Sequence, residues 1–150
     1  MKPLFCLLSL CTFSLLAPAQ DEAAAEGEGV KVTVTVTNIP GAEGNLLIGL
    51  YDSAKDFTGN PLPNSPKIPV TSEENVVATI ENVKPGTYAI SVIQDLNGNG
   101  KLDKSFIGMP KEPLAFSVIR KIPKGKPKFE ACSFEVGTDD LAMTIALVTK

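Results

Sequence analysis

One eight-residue segment restricts the possible folds more than any other part of the chain. Residues 30–37 read VKVTVTVT, so a valine occupies every second position, with lysine or threonine between the valines. Successive side chains of an extended strand point to opposite faces, and β-branched residues favour this conformation. The segment therefore predicts a half-buried β-strand whose core-facing side chains are Val30, Val32, Val34 and Val36.

Further segments have the composition of strands, and no stretch shows a convincing helical period. They read LLIGLYD, NVVATIENV, TYAISVIQD, LAFSV, KFEACSFEV and LAMTIALVT. Residues 137–140, GTDD, predict a hairpin loop between the last two strands, and the proline-rich residues 52–69 predict a surface loop. We therefore predict an all-β fold, an antiparallel β-sandwich of about seven strands that is Ig-like or prealbumin-like.

The start of the chain predicts an exported protein. Residues 1–19 combine Lys2, an apolar run and a terminal Ala-Pro-Ala, which is the pattern of a cleavable signal peptide. The apolar run is shorter than the roughly 20 residues that span a bilayer, so we expect no transmembrane anchor. Residues 20–29 are small and acidic and predict a flexible leader. Residues 30–150 then form a single β-sandwich domain of a secreted or periplasmic protein.

The composition argues against several functions. The chain has no histidine, which removes the commonest general base and every Ser-His or Cys-His pair. Its net charge of -3 argues against a nucleic-acid partner. Signal cleavage leaves Cys132 as the one cysteine, which we expect to fill the core from a strand face. We expect a monomer without enzymatic activity that meets an envelope or extracellular partner. The alternative is a carbohydrate-active envelope enzyme with two catalytic carboxylates, although no spacing singles out a pair.

Residues 95–103, DLNGNGKLD, carry the one pattern that suggests a specific ligand. In a calcium loop of EF-hand type, alternate side chains point inward and a glycine at position 6 allows the bend. Counted from Asp95, that glycine is Gly100, and position 7 offers the carbonyl of Lys101. The pattern predicts a calcium site formed by Asp95, Asn97, Asn99, Lys101 and Asp103.

Two features weaken that prediction. Position 12 is Phe106 instead of a bidentate glutamate, and the flanking segments are not helical. Glu112 is the nearest carboxylate able to replace the missing ligand. We therefore expect weak affinity, on the order of 10⁻⁴–10⁻³ M. The alternative is a plain domain without metal, in which the Asn-Gly steps form an ordinary turn.

Two neighbouring stretches also carry alternatives. Phe106, Ile107 and Met109 follow the loop. They either pack beneath it, which we expect, or form an exposed apolar patch for a partner. Residues 120–128, RKIPKGKPK, predict a solvated loop, because prolines and a glycine interrupt the basic residues.

Several strings occur in an order that resembles a known family. These are NVKPGTYAISVIQDLNGNGKLD, then GMPKEPLAFS, then KPKFEACSFEV. They resemble an uncharacterised bacterial exported family, domain of unknown function 2141, over roughly the whole predicted domain. The chain departs from the family at Gln94, where histidine is frequent. The resemblance implies a secreted or periplasmic β-sandwich similar to transthyretin-like and carboxypeptidase-regulatory-like modules, and it implies no activity.

Overall fold

The computed structural model describes residues 29–148, which fold almost entirely into β-structure. The predicted signal peptide, residues 1–19, and nearly all of the predicted leader, residues 20–29, lie outside this part of the chain. The elements are β1 (Val30–Thr37), β2 (Asn45–Tyr51), β3 (Lys67–Pro69), β4 (Val76–Val83), β5 (Gly86–Asp95), β6 (Leu114–Phe116), α1 (Phe129–Cys132), β7 (Ser133–Val136) and β8 (Leu141–Ala146). The all-β class is thereby confirmed. No helix within residues 29–148 is long and apolar enough to cross a membrane.

The described strands form two sheets. One has the order β4-β1-β8, and the other has the order β3-β2-β5-β6 with β7 also paired to β5. Strand β1 pairs antiparallel with β4 but parallel with β8, where Val34 is opposite Met143. The prediction of a purely antiparallel arrangement is therefore wrong at β8.

The predicted hairpin at residues 137–140 is also wrong. Strand β7 pairs with β5, whereas β8 pairs with β1 in the other sheet. These residues therefore carry the chain from one sheet to the other instead of reversing it within one. The crossover explains the parallel pairing, since β8 enters the second sheet in the direction of β1.

Each segment predicted as a strand contains one, with two differences. Strand β3 lies inside the proline-rich residues predicted as a loop and occupies a sheet edge, where a proline is tolerated. The segment at residues 128–136 begins with the helical turn α1 before β7 starts at Ser133. Cys132 is buried as predicted, but it lies at the end of this turn and not on a strand.

The alternating valines of β1 face the main core, as predicted. Val32, Val34 and Val36 are completely buried, and Val30 is 8% exposed. They share one apolar cluster with side chains from the other sheet, including Leu46, Leu50 and Ile90. Each fully buried aliphatic side chain stabilises the fold by about 1.5–3 kcal/mol. This shared cluster is therefore the main attraction between the two sheets.

A second, smaller core lies on the opposite face of the five-stranded sheet. Phe57 is its centre and contacts Tyr51, Phe116 and Phe129 edge to face, with ring centroids 5.3, 5.9 and 5.8 Å away. Ala89 of β5 belongs to this second core, whereas its neighbour Ile90 belongs to the first. Strand β5 is therefore buried on both faces, which makes it the rigid centre of the molecule.

The hydroxyl of Ser117 links the second core to β5. Its Oγ accepts a hydrogen bond from the backbone N–H of Ile90 at 2.8 Å and donates to the carbonyl oxygen of Cys132. Ser117 is only 1% exposed, so water does not replace either partner. These two hydrogen bonds connect α1 to strand β5 of the sheet.

We predict that Ser117→Ala lowers the free energy of unfolding by about 1–3 kcal/mol, because a buried donor and a buried acceptor lose their partner. Ser133→Ala is the matched control, since the Ser133 hydroxyl donates to the Glu130 carbonyl in an exposed position. Urea denaturation of both variants measures the difference. Equal effects of the two substitutions would contradict the role of Ser117.

Burial of Cys132 predicts a dependence on alkaline pH. Burial raises the pKa of its thiol from 9.0 to about 11. The folded state then keeps a proton that the unfolded state has lost, so the stabilisation is complete below pH 9.0 and disappears toward pH 11. Denaturation at several pH values should show the wild type losing more stability over this interval than Cys132→Ala. A parallel loss in both proteins would show that the thiol plays no part.

Candidate functional site

The candidate site begins where the rigid strand β5 ends. Asp95, the last residue of β5, is completely buried. Its Oδ1 accepts hydrogen bonds from the backbone N–H groups of Gly98 and Asn99 at 2.8 and 3.1 Å, and its Oδ2 accepts one from Gly100 at 2.8 Å. An aspartate that binds backbone N–H groups ahead of it closes a turn. The loop of residues 95–103 therefore curls round its own first side chain.

Two glycines make this curl possible. Gly98 and Gly100 have φ angles of 74° and 76°, a region that other residues adopt at a cost. A Cβ atom at either position would meet no atom within 4 Å. The requirement for glycine is therefore conformational and not steric, in agreement with the predicted role of Gly100.

The remaining predicted side-chain ligands converge on one point. Nδ2 of Asn97 donates to Oδ2 of Asp103 at 2.6 Å, and Nδ2 of Asn99 donates to Oδ1 of Asp103 at 3.1 Å. Oδ1 of Asn97 accepts the N–H of Asn99 at 3.1 Å, and Oδ1 of Asn99 accepts the N–H of Lys101 at 2.8 Å. All five predicted ligand residues thus belong to one hydrogen-bonded loop, which Lys101 enters through its N–H.

Glu112 joins the two ends of this loop. It is only 7% exposed, and its Oε1 accepts the N–H of Leu96 at 3.0 Å while its Oε2 accepts the N–H of Asp103 at 2.9 Å. The N–H of Lys111 in turn donates to the Asp103 carbonyl at 2.9 Å. The structure therefore brings the predicted replacement carboxylate to the loop, where both of its oxygens hold backbone N–H groups.

The sequence did not predict this clamping role, and one signal pointed toward it. Glu112 is the first carboxylate that follows the loop pattern in the sequence, and it is the residue that caps the loop. Together Asp95 and Glu112 accept the five backbone N–H groups of Leu96, Gly98, Asn99, Gly100 and Asp103. The shape of the loop depends on these two carboxylates.

The loop retains oxygen atoms that suit a hard cation. An ionised carboxylate offers about four lone pairs, and each oxygen of Asp103 uses one for an asparagine amide. Rotation of the Asn97 and Asn99 amides would turn oxygen toward the same point. Within residues 29–148, no group of three or more His, Cys, Asp or Glu is placed to hold a metal. The predicted ligand set is not a group of this kind, because it contains only two carboxylates beside two amides and a carbonyl.

The three apolar side chains after the loop lie in solvent. Phe106 is fully exposed, Ile107 is 76% exposed and Met109 is 48% exposed, so the expectation that they pack beneath the loop is wrong. The N–H of Ser105 donates to the Met109 carbonyl at 2.7 Å, and the N–H of Gly108 donates to the Ser105 carbonyl at 2.8 Å. This tight turn carries all three side chains, and we call them the exposed apolar patch.

The turn between β1 and β2 packs against the same end of β5. Nε2 of Gln94 donates to the carbonyls of Gly41 and Glu43 at 2.8 and 3.0 Å, and Gln94 is completely buried. A Cβ atom at Gly44 would lie 2.2 Å from the Asp95 carbonyl oxygen, so only glycine allows this approach. Gln94 and Gly44 therefore fix the position from which the loop starts.

Comparison with known proteins gives one match. The model of a family described as "Uncharacterized protein conserved in bacteria (DUF2141)" matches residues 34–144. No curated protein and no solved structure is significantly similar to the chain.

The clamp generates a prediction about stability. Glu112→Ala should lower the free energy of unfolding by about 1–3 kcal/mol, because two partly buried N–H groups lose a charged acceptor. Glu112→Gln keeps one acceptor oxygen and should have an intermediate effect. Glu74→Ala, at an exposed position, is the control and should change stability by less than about 0.5 kcal/mol. Urea denaturation measures the free energy of unfolding of each variant. If Glu112→Ala lowered it as little as Glu74→Ala does, Glu112 would not be holding the two ends of the loop.

Proposed function

The chain belongs to DUF2141, a family of uncharacterised bacterial proteins, and from this premise we propose that it is an exported, non-enzymatic binding module of the cell envelope. In this proposal its two sheets form a β-sandwich, and calcium stabilises the loop of residues 95–103. The observation that carries the proposal is the convergence of Asn97 and Asn99 on Asp103 beside the buried Asp95.

Two sets of observations support export and the sandwich. Residues 1–19 have the charged start, apolar middle and small-residue end of a signal peptide, so the protein reaches the periplasm or the exterior. Both sheets contribute side chains to one apolar cluster, as the two layers of a sandwich do.

The hydrogen bonds of the loop support the proposed calcium site. Three backbone N–H groups hold the Asp95 carboxylate in place, which leaves the second half of the loop facing Asp103. Asp95 and Asp103 would bind calcium by carboxylate, Asn97 and Asn99 by amide oxygen, and Lys101 by its carbonyl. Calcium would take the place of the two amide N–H groups that now face the Asp103 carboxylate. Only two of these five groups are charged, so the site should be weak.

The way the described residues use their buried carboxylates supports the proposed non-enzymatic role. The two most buried carboxylates, Asp95 and Glu112, hold backbone N–H groups and shape a loop. The loop in turn precedes the exposed apolar patch of Phe106, Ile107 and Met109. Exposed apolar patches are typical of interaction sites, which supports the proposed binding role. A calcium ion would stiffen the loop that precedes this patch.

We predict that calcium raises the melting temperature of the purified protein. At about 10 mM calcium and a dissociation constant of about 10⁻⁴–10⁻³ M, binding to the folded state alone stabilises it by about 1.4–2.7 kcal/mol. The melting temperature should then rise by on the order of 5–10 °C. Differential scanning calorimetry with calcium, with magnesium and with a chelator measures this shift.

Asp103→Ala should remove the shift and still permit folding, because Asp103 is only half-buried and accepts its side-chain hydrogen bonds from two exposed amides. Asp139→Ala, in the exposed connection between β7 and β8, should keep the full shift. The calcium site would be refuted if calcium left the melting temperature of the wild type unchanged. It would also be refuted if Asp103→Ala showed the full calcium-induced shift.

A further inference from the structure

A large groove lies on the outer face of the five-stranded sheet. Its volume is about 1390 Å³, above the range of about 300–1,000 Å³ usual for small-molecule sites. Leu47 and Ile93 of the sheet line it, which we call its floor, together with residues from the segments 100–113 and 121–127, which we call its two banks. The sequence did not predict this groove, because its two banks come from separate loops that the sheet brings together.

Basic residues are concentrated in this groove. Seven lysines line it, among them Lys101, Lys104 and Lys111 on one bank and Lys121, Lys124 and Lys126 on the other. The whole chain has 14 Lys and Arg residues against 17 Asp and Glu residues, so half of its basic residues line one groove. The groove therefore carries a strong positive potential on a protein whose net charge is negative.

No side chain neutralises these lysines within the described part of the chain. Glu112 is the one acidic residue lining the groove, and both of its carboxylate oxygens accept backbone N–H groups. None of the seven lysines forms an ion pair with another residue between 29 and 148. Their charges are therefore available to an anionic ligand.

The groove is apolar between its lysines. Leu47, Ile93 and Leu102 are half-buried, and prolines contribute from both banks. Leu96, Ile107 and Met109 are exposed apolar side chains that also line it. Large apolar side chains left in solvent next to a groove indicate a ligand with an apolar part.

We propose that this groove binds a fatty acid, with the alkyl chain along the apolar floor and the carboxylate among the lysines. This inference names the ligand of the binding module proposed above and rests on that proposal. Burial of the alkyl chain would supply the affinity, and the lysines would select an anionic head group.

The distribution of the lysines favours a single amphiphile over a membrane surface. If the protein docked on a membrane through Phe106, basic residues would be needed only near that side chain. Phe106 is fully exposed and does not line the groove. Lys121, Lys124 and Lys126 belong to a separate loop and line the same groove. An acidic peptide would satisfy the lysines but would leave much of the aliphatic floor without an apolar partner.

Isothermal titration of the purified protein with monomeric dodecanoate tests the proposal, in the presence of a chelator so that the result does not depend on calcium. Dodecanoate should bind, and each further methylene that is buried should tighten binding about fourfold. Dodecyltrimethylammonium has the same chain and the opposite charge, and it should bind at least about tenfold more weakly.

Matched charge reversals locate the site. The double substitution Lys104→Glu with Lys124→Glu changes both banks and should weaken dodecanoate binding by about tenfold. Lys31→Glu with Lys55→Glu changes the net charge equally at exposed positions outside the groove, and affinity should stay within about twofold.

Several results would overturn the inference. These are no binding of dodecanoate, equal binding of both amphiphiles, and equal losses in the two double variants. Binding to acidic phospholipid vesicles or to an acidic peptide without binding of monomeric dodecanoate would also overturn it. If dodecanoate fails while calcium still raises the melting temperature, only this inference falls and the calcium-stabilised module remains.

Discussion

Two buried carboxylates determine the shape of the candidate site. Asp95 and Glu112 accept five backbone N–H groups from a segment that no sheet or helix supports. Hydrogen bonds to charged acceptors are stronger than those between neutral groups, so these side chains hold the exposed loop in its shape. The position of the following segment, including one bank of the groove, depends on the same contacts.

The fold places this loop on its most rigid element. Strand β5 is buried on both faces, in the main valine-rich core and in the smaller core around Phe57. Gln94 and Gly44 fix the adjacent turn against its end. A loop anchored in this way can present the exposed Phe106, Ile107 and Met109 in a defined place, as a binding surface requires. Ile107 and Met109 of this patch also line the groove with its lysines, so the two surfaces share these side chains.

Local patterns predicted a large part of this molecule. The alternation of Val30 to Val36 predicted strand β1 and its buried face. The spacing of polar residues from Asp95 to Asp103 marked a loop whose side chains form one hydrogen-bonded network. What could not be predicted depends on contacts distant in the sequence. No feature of the β8 sequence predicts that it pairs with β1, and none near Phe129 predicts its packing on Phe57. The exposure of Phe106 and the groove between two loops also appear only when the sheet is assembled.

The central claim is that Asp95 and Glu112 hold the loop in a fixed shape. Amide hydrogen exchange measured by nuclear magnetic resonance tests it most directly, because it reports each of the five donors separately. If the claim is correct, the amides of Leu96, Gly98 and Gly100 exchange at least about a hundredfold more slowly than those of residues 124–126, although Gly98 and Gly100 lie in an exposed loop. Exchange as fast as in that second loop would contradict the account.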